Sequence, residues 1–162
     1  LEGDVPYTLN PGGPNHEELS CLVGVYEYFN NLFEHHFPGE DGSVRERIEK
    51  VNELINKHEQ EIANPLLEYI NSRDDIKLIG KNKIENKNRA PTIAFTMNNK
   101  SSKELSSDLV KKGIATRNDN FYAWRCLKAL GIDVDDGVVR TSMVHYNTHE
   151  DVNNLIEALK KI

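Results

Sequence analysis

The residues best suited to chemistry lie near the C-terminus, in Val138-Val139-Arg140-Thr141-Ser142-Met143-Val144. An arginine amid an apolar, β-branched run needs an anion. A carboxylate is the natural one, because the guanidinium fork matches its two oxygens and stays charged. Two partners fit: an acidic side chain of the same domain, or the carboxylate of a bound small molecule, which calls for a forked donor on a rigid element. Upstream, Arg117 reads either as a second carboxylate or phosphate contact or as a solvated arginine at a loop edge. Asn118 and Tyr122, close to it in the chain, are possible cleft residues. Gly12 and Gly13 precede a helix start, where backbone N–H groups can face a phosphate. The same glycines also read as a plain Gly-Pro turn.

The remaining reactive side chains are read as structural. His145 and His149 are four apart but straddle a strand end and a helix cap, with no Cys or Glu at fitting spacing, so no metal site is expected. Cys126 falls inside a helical pattern and reads as a small buried hydrophobe. His35 and His36 suit the negative end of a helix dipole. His58, on the apolar side of a long helix, reads as a satisfied buried histidine. Lys77, Lys81, Lys83 and Lys87 lie in or beside a polar loop, with no apolar pocket to depress their pKa for covalent chemistry.

These candidates need elements to position them. Residues 1–16 are turn-rich, with Pro6, Pro11, Gly12, Gly13 and Pro14 close together. Asn15 and Glu18 then open a helix to about His36, with Leu19, Leu22, Val23, Tyr26, Phe29 and Phe33 at helical spacing. After a break at 37–42, Ser43 and Glu46 cap a long helix to about Arg73, which Pro65 should kink or split. Strands are expected at 76–80, 92–97 and 114–117 and, after the turn Asp135-Asp136-Gly137, in a short run carrying Arg140; helices are expected from Ser101 to Gly113, from Phe121 to Leu130, and from Thr148 to the C-terminus. The order implies an α/β domain of two layers around a small sheet, described as mixed in direction or antiparallel.

Composition bounds the function. A net charge of -6 and a pI near 5.5 argue against a nucleic-acid-binding face, which needs a concentrated basic stripe. No apolar run approaches the ~20 residues of a membrane helix. Neither of the two cysteines, Cys21 and Cys126, needs a disulfide, so a reducing cytoplasmic setting is the default. The chain opens on Leu1 rather than Met, which suggests a piece of a longer protein.

The run Arg140-x-Ser142-x-x-x-Tyr146-Asn147-Thr148-x-Glu150-Asp151-Val152 resembles the C-terminal end of the cysteine desulfurase branch of the class V aminotransferases. Asn10-Pro11-Gly12-Gly13-Pro14-Asn15 is similar to that family's Gly-Thr-Pro-Asn loop, with Gly13 at the Thr position. Asp119-x-Phe121-Tyr122-Ala123 resembles the subgroup that lacks the sulfur-accepting cysteine, and Tyr122 stands where that cysteine would be. The resemblance implies the small domain of a fold-type I enzyme dependent on pyridoxal 5'-phosphate (PLP). Residues 1–36 would link to a large N-terminal domain, and 37–162 would form the C-terminal small domain with a sheet of about three or four strands. It further implies that Arg140 grips the carboxylate of an amino-acid substrate. Gly12 and Gly13 would belong to a loop reaching the cofactor phosphate across a homodimer. The cofactor lysine would lie upstream, so that this piece alone is inactive. A different class of reading remains open: a free-standing α/β module that holds a small carboxylate through Arg140, or regulates, without catalysis.

Overall fold

Side-chain caps set where most of the helices begin. The computed structural model describes residues 12–84 and 89–162; Asn10, Pro11 and Lys87 lie outside them. These residues form two compact units, divided between Leu54 and Ile55. Helix α1 (His16–His36) starts at Asn15, whose side chain accepts the Glu18 N–H at 3.1 Å. Glu17 and Glu18 in its first turn and His35 and His36 in its last match the helix dipole. Helix α2 (Val44–Asn71) starts at a reciprocal pair, the Ser43 N–H donating to Glu46 at 2.8 Å and the Glu46 N–H to the Ser43 hydroxyl at 3.4 Å.

In the unit ending at Leu54, Phe33 and Val51 are buried. The Arg47 guanidinium lies 5.1 Å from the Phe33 ring centroid and also donates to Asn30 and Asp41, both at 2.9 Å. The expected apolar stripe of α1 is helical but mostly uncovered: Leu19, Leu22 and Val23 are 52%, 62% and 60% exposed.

In the second unit, Ile62, Ala63, Leu66, Leu67 and Ile70 on α2 are all buried. Pro65 neither splits nor ends this helix. One missing N–H bond is a smaller term than the burial of the four apolar residues around it.

Strands β1 (Ile76–Ile79), β2 (Thr92–Met97), β3 (Arg117–Asp119) and β4 (Val138–Ser142) form one sheet in the order β1-β2-β4-β3, every pairing antiparallel. Helices α3 (Ser102–Lys111), α4 (Trp124–Ala129) and α5 (His149–Lys160) complete the unit. One sheet face, including Ile93, Phe95 and Val139, shares a core with Leu105 and Leu109 of α3, with Val152, Leu155 and Leu159 of α5, and with α2. The other face has Ile79, Ala94, Arg140 and Arg117 in a row across all four strands. None of these four belongs to that core.

Two expectations are corrected. Residues 114–116 are not strand. The Ile114 N–H donates to the Leu109 carbonyl at 3.0 Å and the Gly113 N–H to Val110 at 2.9 Å, with Gly113 at φ +79°, so this segment closes α3. The strand begins only at Arg117. Nor does α4 begin at Phe121. The Tyr122 N–H is taken by the Asn120 side chain at 3.0 Å and the Ala123 N–H by the Asn120 carbonyl at 2.8 Å, which makes 120–123 a turn.

Candidate functional site

Arg140 sits at the middle of β4, and alternation along the strand places it opposite the buried Val139 and Thr141. It is half-buried on the face away from the core helices. The antiparallel register sets Arg117 of β3 directly across from it, so both side chains leave the same face. Like charges in that position repel.

Two other half-buried arginines, Arg73 and Arg47, have acid partners, whereas Arg89 donates to the Lys81 and Thr92 carbonyls. Arg73 forks onto Asp75 at 2.6 and 2.5 Å, and that contact holds the Asp75 carboxyl below the usual carboxylate range. Arg47 meets Asp41 at 2.9 Å. Among the described residues no carboxylate stands within ion-pairing distance of Arg140 or Arg117. What Arg140 does touch is Phe121, whose ring centroid lies 4.0 Å from the guanidinium carbon. A guanidinium on an aromatic face keeps its N–H groups available for an anion.

The other candidates are placed differently. Asn118 pairs with Val139 and so points to the core side, donating to the Ser102 hydroxyl at 3.2 Å, away from the arginine face. Tyr122 is fully exposed at the tip of the turn after β3. Gly12 and Gly13 are exposed, and a Cβ on either would meet nothing within 4 Å; packing does not demand glycine there. Cys126 is exposed on α4, not buried as its helical pattern suggested, because Leu127 is the residue that turns inward. Cys21 is exposed on α1.

Tyr146-Asn147-Thr148 is largely turn chemistry. The Val144 N–H donates to the Asn147 side chain at 2.9 Å, and Thr148 and Asp151 cap α5 reciprocally at 3.1 and 2.8 Å. His58 is half-buried and satisfied, its Nε2 lying 2.8 Å from the Asn147 carbonyl. Its neighbour Glu59 is pushed above the ordinary glutamate range by burial, against the opposing pull of His145 and His58. Among the described residues no three His, Cys, Asp or Glu side chains are grouped to hold a metal. No helix among them is long and apolar enough to cross a membrane.

Comparison with known proteins decides the family. The profile of the class-V aminotransferases matches residues 46–155. The chain belongs to the class-V aminotransferase family.

Family members are PLP-dependent. Within this family the chain is 36% identical over 156 residues to the aminotransferase-like protein FGM3 of Gibberella zeae, covering 95% of this chain and 37% of that protein. It is 31% identical over 157 residues to a cysteine desulfurase of Salmonella agona, covering 97% of this chain and 32% of the other. In fold it is similar to the crystal structure of the Escherichia coli cysteine desulfurase CsdA, with a TM-score of 0.67 at 19% identity over 98% of this chain and 33% of that one. The chain thus spans about a third of the length of these family members.

PLP requires a lysine to hold it and an acid for its ring nitrogen. None of the described lysines is buried. The half-buried Lys50 and Lys100 are ion-paired with Glu40 and Asp108. Among the described residues, then, no lysine sits in the buried, unpaired setting that a Schiff-base lysine needs.

Sequence reasoning missed Phe121 as a site residue, because a pattern that reads as helix hides a turn. It also missed the juxtaposition of Arg117 and Arg140, which depends on register.

Proposed function

We propose that this chain is the C-terminal part of a PLP-dependent enzyme acting on an amino acid, and that Arg140 orients the substrate's carboxylate. The observation that carries the reading is Arg140 itself: a half-buried, strand-borne guanidinium with an aromatic cover and, among the described residues, no acid partner. Arg117 across the ladder adds a second positive charge to the same face. A bound anion offsets their mutual repulsion, so the pair favours a ligand over an internal salt bridge.

The remaining roles follow. Residues 1–36 link to a large upstream domain, and the exposed Leu19, Leu22 and Val23 of α1 supply an apolar face for it. That domain brings the lysine and the acid that hold PLP, which, when bound, supplies the electron sink for bond-breaking at the substrate's α-carbon. The parent is cytoplasmic and homodimeric, and Gly12 and Gly13 approach the cofactor phosphate through backbone N–H groups. With Tyr122 at the place of a sulfur-accepting cysteine, desulfuration by that thiol is not open to the parent. The 162-residue chain alone is inert and takes up no PLP.

The test is Arg140→Gln in the full-length protein, assayed over a panel of amino acids for sulfide, alanine and 2-oxo-acid release. Loss of a bidentate charge-assisted contact, worth about 1.5–3 kcal/mol, should raise KM roughly 10- to 100-fold with a smaller effect on kcat. An unchanged KM for every substrate turned over would refute the role of Arg140. A yellow, reducible adduct on any lysine of the isolated chain would refute its inertness. A reading frame starting near residue 1 would favour a stand-alone carboxylate-binding module instead.

A further inference from the structure

The turn after β3 holds two consecutive non-glycine residues in the left-handed region, and it lies against Arg140. Phe121 and Tyr122 have φ of +51° and +59°, where an L-residue's Cβ crowds its own carbonyl. Neither is glycine, and neither belongs to the core. Strain of this kind persists where the surroundings over-determine it. Here Asn120 does so with both ends of its side chain: Oδ1 accepts the Tyr122 N–H at 3.0 Å and Nδ2 donates to the Val134 carbonyl at 3.2 Å. The backbone of Gly137 closes on the same place, since a Cβ there would lie 2.3 Å from the Asp119 carbonyl and 2.7 Å from the Asn120 nitrogen.

What this turn achieves is the seating of the Phe121 ring on Arg140, centroid to guanidinium carbon 4.0 Å. The ring occupies one face of the guanidinium and leaves its N–H edges to an anion. Two influences work against a ready fork: the rotamer freedom of a long side chain, which binding must remove, and the repulsion of Arg117 across the ladder. A ring fixed by a rigid turn counters both.

We infer that Phe121 is a positioning residue whose ring holds the Arg140 guanidinium in place, so that the fork is set before a carboxylate arrives. The inference rests on the reading of Arg140 as the carboxylate-binding group. It accounts for two consecutive non-glycine residues in the left-handed region beside an arginine that needs orientation.

The experiment uses 15N-labelled protein, acetate as the probe, and NMR of the Arg140 Nε–H signal at constant ionic strength. In the wild type the ring current of Phe121 should shift that signal upfield, and acetate should perturb it saturably. Phe121→Gly removes the ring while relieving the backbone. It should abolish the upfield shift and weaken acetate binding about tenfold, or 1.4 kcal/mol, with no loss of thermal stability. Phe121→Tyr restores the ring and should bind within twofold of wild type. A wild-type signal without ring-current shift, or acetate binding by Phe121→Gly within twofold of wild type, overturns the inference while leaving Arg140's role intact. If Arg140→Gln, followed through the backbone amides of Arg117 and Val139, binds acetate as tightly as wild type, the carboxylate reading itself fails and takes this inference with it.

Discussion

Gly137→Ala tests the packing that builds the site. Gly137 precedes β4 at φ +74°, and an added Cβ would meet the Asp119 carbonyl carbon and oxygen at 2.3 Å and the Asn120 nitrogen at 2.7 Å. These are backbone atoms, so no flexible side chain can give way. Three terms compose the effect. A left-handed φ costs alanine about 1–2 kcal/mol. Reduced freedom of the unfolded chain returns about 0.4–1 kcal/mol. Forcing the end of β3 away adds about 1–3 kcal/mol, as other overpacking does. With each term near the middle of its range, the net loss is about 3 kcal/mol.

Gly113→Ala is the control, because Gly113 has φ +79° with nothing within 4 Å of its would-be Cβ. It lacks the third term and should cost only about 0.5–1 kcal/mol. At roughly 2–4 °C per kcal/mol for a chain of this size, Gly137→Ala should lower Tm by roughly 5–15 °C and Gly113→Ala by no more than about 4 °C. Thermal unfolding followed by circular dichroism, and by fluorescence of Trp124, the single tryptophan, reads both. Equal shifts in the two variants would show that close approach at Gly137 contributes nothing, and with it the account of how the Phe121 turn is held.

Three further outcomes are expected. Thr148→Ala removes the acceptor for the Asp151 N–H, 3.1 Å away, and should cost about 1 kcal/mol in urea unfolding; a change within error would mean that the α5 cap is dispensable. Glu59 has a folded-state pKa raised by burial, so the folded protein binds that proton more tightly than the unfolded chain. Its contribution is fully present below the ordinary glutamate pKa and is lost as pH rises through the raised value. Glu59→Gln should therefore be more stable than wild type at pH 7, with the advantage gone below about pH 4; a pH-independent difference in Tm contradicts this. Cys21 and Cys126 are both exposed and should react with a thiol reagent in native protein as fast as in unfolded protein, whereas a buried Cys126 would lag by orders of magnitude.

Much of this protein was legible in its residues alone. Capping pairs such as Ser101 with Glu104 and Thr148 with Asp151 act within four residues, so local chemistry sets the starts of α3 and α5. Alternation marks β2 and β4 because one face of each is buried. The odd placement of Arg140, with its flanking motif, pointed to an anion and to the family. Other features depend on partners distant in sequence. The juxtaposition of Arg117 and Arg140 follows from strand register, and the solvent exposure of Cys126 from which side of a short helix meets the core. The helical appearance of Phe121 and Tyr122 yields to a turn held by Asn120, Val134 and Gly137. The sequence by itself singled out Arg140 as the charged residue of an otherwise apolar run. Tertiary structure decided that no acid among the described residues would satisfy it and that an aromatic ring would cover it, because those are properties of distance rather than of residue order.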